Sequence, residues 1–340
     1  MDFPSATDGT LGALGDYTER QKLLDIRREV KKDLREQSRS EMLRDAIREA
    51  IGHLEPIKIN KAVKLPMEPL EKELVLGLGD FHYGADFVLK GLYGEDLNVY
   101  NSKVFESRMA ELITHVAEIC NTHHPDRITV MLVGDLLDGM LRQSQLMRLE
   151  YGVVDSAMYL CEFLSQWLSE LLYETSTPIR VYGVRGNHGE IRPLGSKAGQ
   201  FPEENLERMV MFYLHERFLM SEGAIQIEDK DMPMTRMVEV CGHSIMLLHG
   251  QGDDIEKIAR DHQTMYDWHI DMFMCGHLHK SQTFTAGAGL RGNVVIERVP
   301  SICGTDPYAH SKGYTSPPGA TAILVEDGCL RKCVYPITLK

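Results

Sequence analysis

The sequence predicts an α/β protein in which a two-sheet β-sandwich is flanked by helices and preceded by an N-terminal helical extension. In the first half of the main region, short apolar runs alternate with amphipathic stretches at helical spacing. The second half consists mostly of short apolar runs that end in Gly and polar residues, which is typical of strands. A densely charged stretch with apolar residues at helical spacing precedes both halves and predicts the extension.

The extension divides into a leader, a helical part and a linker. Residues 1–16 are rich in Gly, Ser, Asp and Thr without apolar periodicity, so we expect a mobile leader. Residues 17–55 contain two capping-box patterns, T-x-x-Q and S-x-x-E, each followed by apolar residues at helical spacing. They predict a charged helical extension of two helices with a break near Gln37. Prolines punctuate residues 56–72, which we interpret as a linker.

The main domain is predicted to span residues 73–340 and to contain both helices and strands. The amphipathic helices are expected at about 104–120, 154–174 and 203–219. The strands are expected at 73–78, 128–133, 179–184, 236–240, 244–248, 271–275, 293–298 and 321–326.

The composition limits the class of function. A net charge of −13 over 340 residues argues against a surface coated in positive charge for long duplex nucleic acid, although it allows a local basic patch. The longest apolar runs are far shorter than a membrane span, and the N-terminus lacks a basic segment followed by an apolar one. Seven scattered cysteines predict reduced, mostly buried thiols. We expect a cytoplasmic protein without a membrane partner.

Five polar clusters stand where predicted strands end. Ligand sites in open α/β sheets lie at the carboxyl ends of strands, so we expect these clusters to converge. Their carboxylate, amide and imidazole groups suit Mn, Fe or Zn better than Ca. The clusters are Gly79-Asp80-Phe81-His82, Gly134-Asp135-Leu136-Leu137-Asp138-Gly139, Gly186-Asn187-His188-Gly189-Glu190, His249-Gly250 and Gly276-His277-Leu278-His279.

A site for two metal ions needs one carboxylate that binds both ions. Two divalent ions about 4 Å apart need a shared carboxylate, and together they can clamp a phosphate and lower the pKa of a bridging water. Asp135 is the candidate for that bridge. Each cluster alone is better explained by a turn than by a metal site. Five clusters in this order, each after an apolar strand, favour a metal site.

In chain order the clusters are D-x-H, G-D-x-x-D, G-N-H, H and G-H-x-H, which resembles the calcineurin-like metallophosphoesterase superfamily. The resemblance covers roughly residues 73–340 and implies a metallophosphoesterase fold and catalytic domain there. It also implies two divalent metal ions bridged by Asp135. Manganese is the expected metal, with Fe, Zn, Ni or Mg as alternatives. The implied ligands are Asp80, His82 and His279 for the first ion, and Asn187, His249 and His277 for the second.

The same resemblance assigns two residues to catalysis. His188 would face the phosphate, where it stabilises charge or protonates the leaving oxygen, and Asp138 would orient it. Hydroxide formed from water at the two ions would attack phosphorus in line.

The motifs also bear on the branch of the superfamily. The protein-phosphatase branch continues with Arg-Gly after the second acid, whereas here Asp138 is followed by Gly139 and Met140. That branch and a nuclease branch place an acid after the G-N-H motif, where this chain has Gly189. The general layout is most similar to the DNA-repair exonuclease-like phosphoesterases of bacteria and their phages.

We therefore expect a dinuclear metal-dependent phosphodiesterase that hydrolyses nucleic acid, as DNA or RNA, or a nucleotide. A phosphomonoesterase acting on nucleotides or small phosphate esters is the alternative, which the acidic net charge favours. A catalytically silent binding scaffold is the third hypothesis, although no ligand position is missing from the motifs.

Other residues are candidates for binding substrate or a second chain. Arg142, Arg192 and Lys197 lie close to motif positions in the sequence, and their cations could pair with phosphate. Solvated surface side chains are the alternative. The apolar stripe of residues 17–55 could form a homodimer with a second copy or pack onto the catalytic domain.

Overall fold

A six-stranded sheet forms one layer of the main domain in this computed structural model. From edge to edge its strands are β13 (Lys332–Thr338), β12 (Gly319–Glu326), β1 (Lys72–Leu78), β4 (Arg127–Leu132), β5 (Ile179–Gly183) and β6 (Ile225–Ile227). Neighbours from β1 to β6 pair in parallel, whereas β12 pairs antiparallel with both β1 and β13.

A five-stranded sheet forms the second layer. From edge to edge its strands are β10 (Gln282–Gly289), β11 (Gly292–Arg298), β9 (Met272–Cys275), β8 (His243–Leu248) and β7 (Thr235–Val240). The inner strands β8, β9 and β11 run parallel, and the edge strands pair antiparallel with their neighbours. A separate hairpin consists of β2 (Phe87–Lys90) and β3 (Asp96–Tyr100).

The helices precede, connect and cover these sheets. None of them, within the residues that the structure describes, is long and apolar enough to cross a membrane. The helices are α1 (Asp8–Gly52), α2 (Ser102–His123), α3 (Gln143–Leu146), α4 (Val153–Thr175), α5 (Glu207–Phe218), α6 (Ile255–Tyr266) and α7 (Pro307–Ser311).

The chain divides after Glu55 into two units, of which the first contains α1 and the second contains both sheets. The structure describes residues 8–55, 57, 63–139, 143–192, 196–201, 203–228, 230–252, 254–266, 269–289, 292–327 and 332–340.

Alternate side chains of β1 enter two different cores. Leu74, Leu76 and Leu78 pack in a core with residues of α2, α4 and α5, whereas Val75 packs in a core with strands of the second sheet. On its outer face the second sheet packs against α6, with Phe273 in that third core. The layers therefore follow the order helix, sheet, sheet, helix. A sheet that is covered on both faces has nearly continuous apolar strands, as the sequence has here.

The predicted two-sheet sandwich flanked by helices is confirmed, and every predicted strand is present with ends displaced by at most two residues. The predicted helices correspond to α2, α4 and α5. The sequence did not predict the hairpin of β2 and β3, strands β6, β10 and β13, or helices α3, α6 and α7.

The extension differs from its prediction, because α1 is one helix of 45 residues from Asp8 to Gly52. It replaces the mobile leader expected over 1–16 from residue 8 onward, and it replaces the break expected near Gln37. Residues 1–7 of that leader lie outside the described part. Lengthening a helix costs far less than starting one, and neither Pro nor Gly occurs from Asp16 to Ile51. The domain limits and the homodimer stay predictions.

We expect Phe105→Ala to lower the free energy of unfolding by about 3 to 5 kcal/mol, because it empties a filled core position. Phe105 is fully buried, and its ring centroid lies 5.4 Å from that of Phe81, 5.1 Å from that of Tyr83 and 5.1 Å from that of Phe163. Urea unfolding followed by circular dichroism measures the change. Leu92→Ala is the control, because Leu92 is 96% exposed and should change stability by less than about 0.5 kcal/mol. Equal effects of the two variants would contradict this core assignment.

Candidate metal centre

The five polar clusters follow β1, β4, β5, β8 and β9, and the structure brings their side chains together. Among the residues that the structure describes, three groups of side chains each have ligand atoms within 4.8 Å of one another. His82 and Asp135 each belong to two of these groups, so the groups form one continuous centre. The groups are Asp80, His82 and His279; His82, Asp135 and His188; and Asp135, His249 and His277.

The backbone is strained where it carries these side chains. Left-handed φ angles cost non-glycine residues of order 1–3 kcal/mol each and persist only where the surroundings fix them. Hydrogen bonds between loops do so here, since Asp80 N donates to Gly134 O at 2.9 Å and His82 N donates to Asp135 O at 3.0 Å. The strained positions are Asp80 (φ 49°), His82 (46°), Asp135 (53°), His277 (71°) and His279 (51°).

The first group joins the β1 loop to the β9 loop. His82 Nε2 lies 3.0 Å from His279 Nε2, and His279 Nε2 lies 3.8 Å from Asp80 Oδ1. His279 Nδ1 lies 3.2 Å from Gly304 O, an arrangement in which Nδ1 donates and Nε2 carries the lone pair. Asp80 Oδ1 is buried and has no hydrogen-bond donor among the described residues. When His82 is neutral with its proton on Nδ1, which faces Asp138, its Nε2, His279 Nε2 and Asp80 Oδ1 are acceptors that face one another without a donor between them.

The group of Asp135, His249 and His277 has the same property around His249. Its Nδ1 lies 2.8 Å from Val133 O, to which it donates, so that Nε2 carries the lone pair in the neutral ring. This Nε2 lies 3.0 Å from Asp135 Oδ2, 3.1 Å from Asn187 Oδ1 and 3.1 Å from His277 Nδ1. Oxygen and nitrogen acceptors that converge in this way need a positive charge among them.

Asp135 lies between the group of Asp80, His82 and His279 and the pair of His249 and His277. Its Oδ1 accepts a hydrogen bond from His188 N at 2.8 Å, and its Oδ2 faces His249. A Cβ atom at Gly186 would collide with this carboxylate, which explains the glycine before Asn187. Asp135 therefore has the position that a bridging ligand requires.

The electrostatics of the centre favour bound cations. Burial lowers the pKa of His249, but the charge of Asp135 and its hydrogen bond outweigh burial and raise this pKa to about 9. Burial also lowers the pKa of His82, but the hydrogen bond that His82 donates to Asp138, together with the charge of Asp135, raises it to about 10. Protons on these rings provide positive charge that stabilises the buried carboxylates, and divalent ions would provide more positive charge at the same place.

The remaining ligand candidates stay in the protonation state that metal binding requires. Burial, together with the charge of His249, lowers the pKa of His277 to about 4. Burial and the charge of His82 hold the pKa of His279 well below its ordinary value. Both rings are therefore neutral near pH 7 and can offer lone pairs. The carboxylates, the Asn187 amide and the imidazoles form a donor set that fits divalent transition metals.

His188 lies at the open side of the centre. Its side chain is 18% exposed, whereas that of His82 is 3% exposed. His188 Nδ1 lies 3.0 Å from the backbone oxygen of Asp138 and 3.4 Å from its Oδ1. Asp138 Oδ1 is also 3.4 Å from His82 Nδ1, so the predicted orienting acid contacts both rings. Gln145, which the sequence did not indicate, lies beside them with Nε2 3.2 Å from His188 Nδ1.

A cleft of about 540 Å³ opens above these residues. Arg192, for which a substrate contact stays a prediction, lines it, and its Nη2 lies 2.9 Å from Glu190 Oε2. Lys197 is exposed and is not among the lining residues. Arg142 lies outside the described residues. Arg148, Phe87 and Tyr308 also line the cleft.

A buried acid outside the motifs connects two of the loops. Glu207 is fully buried at the start of α5, where Oε1 accepts from Leu136 N at 2.9 Å and Oε2 accepts from Gly186 N at 2.8 Å. Burial and the charge of Asp135 raise the pKa of Glu207 to about 7. Asn205 supports the same place, because its Nδ2 donates to Gly186 O at 3.0 Å and its Oδ1 accepts from Glu207 N at 2.9 Å.

Comparison with known proteins adds a family assignment to this geometry. Along 324 residues the chain is 26% identical to the SPbeta prophage-derived uncharacterized protein YonJ of Bacillus subtilis (strain 168), covering 94% of this chain and 78% of that protein. Among solved structures, Vps29 of Chaetomium thermophilum is 11% identical, with a TM-score of 0.33 and coverage of 78% of this chain and 98% of that one. A phosphatase of Mycoplasma pneumoniae is 10% identical, with a TM-score of 0.33 and coverage of 81% and 95%.

The family comparison covers the region that contains the five clusters. Residues 74–281, which are more than half of the chain, match the calcineurin-like phosphoesterases. This match includes the loops of β1, β4, β5, β8 and β9 from which the centre is built. The chain therefore belongs to the calcineurin-like phosphoesterase family.

Proposed function

We propose that the protein is a dinuclear metal-dependent phosphodiesterase that acts on nucleic acid or a nucleotide. The observation that carries the proposal is the position of Asp135, one buried carboxylate between two groups of converging acceptors. In this arrangement two divalent ions would share that carboxylate. When bound, such ions neutralise charge on a phosphoester and lower the pKa of a water between them.

The assignment of ligands follows the two groups. Manganese is the metal we expect, because imidazole and carboxylate together suit it and its neighbours in the first transition row. We assign Asp80, His82 and His279 to one ion, Asn187, His249 and His277 to the other, and Asp135 to both.

His188 supplies the acid chemistry in this proposal. Its Nδ1 donates to the backbone oxygen of Asp138, which leaves Nε2 for the substrate in the cleft. A protonated His188 would stabilise negative charge on the phosphoryl oxygens or give its Nε2 proton to the departing oxygen. Asp138 keeps the ring in place, since it contacts Nδ1 with both its backbone and its side chain.

The charges of the cleft favour diesters over monoesters. In the part of the chain that the structure describes, Asp86, Asp138 and Asp306 line the cleft beside the guanidinium groups of Arg148 and Arg192. Glu190 already neutralises Arg192 through two hydrogen bonds, of 2.9 and 3.1 Å. Two divalent ions would attract either ester. Beyond the ions, a diester carries one negative charge and a monoester carries up to two, so the carboxylates of this wall repel the diester less.

Aromatic rings in the same wall suit a nucleoside substituent. Phe87 lies at the start of β2, and Tyr308, which is 51% exposed, lies in α7. Both line the cleft, whose volume of about 540 Å³ is within the usual range for ligand pockets. Base stacking on such rings contributes about 1–3 kcal/mol per base without regard to sequence.

We expect metal-loaded protein to hydrolyse bis-p-nitrophenyl phosphate and to prefer it over p-nitrophenyl phosphate. Asp135→Asn should abolish turnover of the diester, because it removes the shared charge between the ions. His188→Ala should lower kcat by about 10²- to 10⁴-fold on a dinucleotide, whose alkoxide leaving group needs a proton. Its effect should be smaller on the nitrophenyl ester, because nitrophenolate leaves without help. Steady-state kinetics with added manganese measure these changes.

The outcomes of that experiment separate the hypotheses. Turnover of monoesters alone would replace the proposal with the phosphomonoesterase alternative. Bound metal without turnover of any phosphoester would favour the binding scaffold. Equal effects of His188→Ala on both diesters would assign the residue to charge stabilisation rather than to proton donation.

We expect Tyr308→Ala to lower kcat/KM about tenfold for the p-nitrophenyl ester of thymidine 5′-monophosphate, with little effect on methyl p-nitrophenyl phosphate. The two substrates share a leaving group and differ in the nucleoside, so the comparison isolates stacking. Tyr308→Phe is the matched control and should retain the wild-type preference. An equal loss for both substrates would remove Tyr308 from nucleoside recognition.

A further inference from the structure

The candidate ligands are held in place by two separate sets of contacts. One set involves Ser301, whose Oγ donates to Asp80 O at 2.7 Å and accepts from Gly304 N at 3.2 Å. Gly304 O in turn accepts from His279 Nδ1. This set therefore supports two ligands of the first ion and none of those assigned only to the second.

The other set centres on Glu207. Its Oε1 accepts a hydrogen bond from the backbone N–H of Leu136, which follows Asp135. Its Oε2 accepts one from the backbone N–H of Gly186, which precedes Asn187, so a single side chain joins two loops. Each bond is a backbone N–H donating to a buried carboxylate, which is the stronger class of hydrogen bond. This bridge by one side chain adds to the hydrogen bond that His188 N donates to Asp135 Oδ1, and both fix the separation of the two loops.

We propose that Glu207 is a positioning residue that sets the affinity of the second metal ion by holding the Asp135 loop and the Asn187 loop at a fixed separation. The inference rests on the proposed two-metal function and extends it to a residue outside the motifs. Because the Ser301 contacts support Asp80 and His279 and do not involve the Asn187 loop, the two ions should respond most strongly to different substitutions.

Glu207→Gln tests this idea with almost no change in size. The substitution replaces one acceptor oxygen with an NH₂ group, which would face a backbone N–H as a second donor. One of the two loops then loses its hydrogen bond while the other keeps it. Substitution of a residue that supports metal ligands in this way typically lowers metal affinity by 10- to 100-fold.

The experiment is a calorimetric titration of metal-free, full-length protein with Mn²⁺, combined with electron paramagnetic resonance of the coupled ion pair. For Glu207→Gln we expect one binding step to weaken 10- to 100-fold, the other to change less than about threefold, and the coupled signal to decrease. His249→Ala identifies the second-ion step, because it removes a ligand assigned to that ion alone. Ser301→Ala should weaken the opposite step.

Two further variants separate positioning from general loss of structure. Glu73 is a buried carboxylate at the amino end of β1, paired with Arg127 at 3.0 Å. Glu73→Gln should lower the midpoint of thermal unfolding while leaving both Mn²⁺ affinities unchanged. If Glu207→Gln does not fold, Asn205→Ala, which removes the bond to Gly186 O, should give the same selective loss.

Results of two kinds would overturn the inference. Wild-type Mn²⁺ affinities in Glu207→Gln would show that the loops keep their separation without this carboxylate. Equal weakening of both steps would show loosening of the whole centre rather than control of one ion. A wild-type protein that binds no Mn²⁺ would instead refute the proposed function itself, so the two failures are distinguishable.

Discussion

Two buried carboxylates among histidine rings form the constraint on which the rest of the structure depends. Asp80 and Asp135 have almost no contact with solvent, and His82, His249 and His279 lie around them. Buried charges are costly unless opposite charge lies close by, so this cluster demands cations. The raised pKa values of His82 and His249 are one response to that demand. In our proposal divalent ions provide the other.

The fold brings these side chains together because it places the ends of five strands at one location. Both sheets contribute, since β1, β4 and β5 belong to the first and β8 and β9 to the second. Packing of the sheets against each other and against helices on their outer faces makes those strand ends rigid. The strained backbone at Asp80 and Asp135 persists because of that rigid support. Helix α5 adds Glu207, which connects two loops directly.

What could be predicted from the sequence was what strong local patterns specify. Strands covered on both faces form clear apolar runs, and the candidate ligands directly follow them. The hairpin of β2 and β3 has both buried and exposed apolar residues, such as Leu89 and Val88, and β6 is only three residues long, so neither has a clear pattern. Edge strand β10 is rich in Gly and Ala, which lack strand propensity.

The parts of the site that escaped prediction depend on contacts distant in sequence. Glu207 belongs to no motif, and its one local signal is a place on the apolar stripe of α5 with Val210, Met211 and Leu214. An acid on a buried stripe indicates a specific partner, which only the fold identifies. Tyr308 lines the cleft from α7, and Arg148 lines it from the segment between α3 and α4, so only the fold brings these two side chains to the same cleft.

The central claim is that one carboxylate is shared by two metal ions. A crystal structure of manganese-soaked protein, with anomalous difference maps recorded at the manganese edge, tests it most directly. We expect two peaks about 4 Å apart, both in contact with Asp135, with His279 beside one and His249 beside the other. A single peak, or peaks that do not contact Asp135, would contradict the two-metal centre.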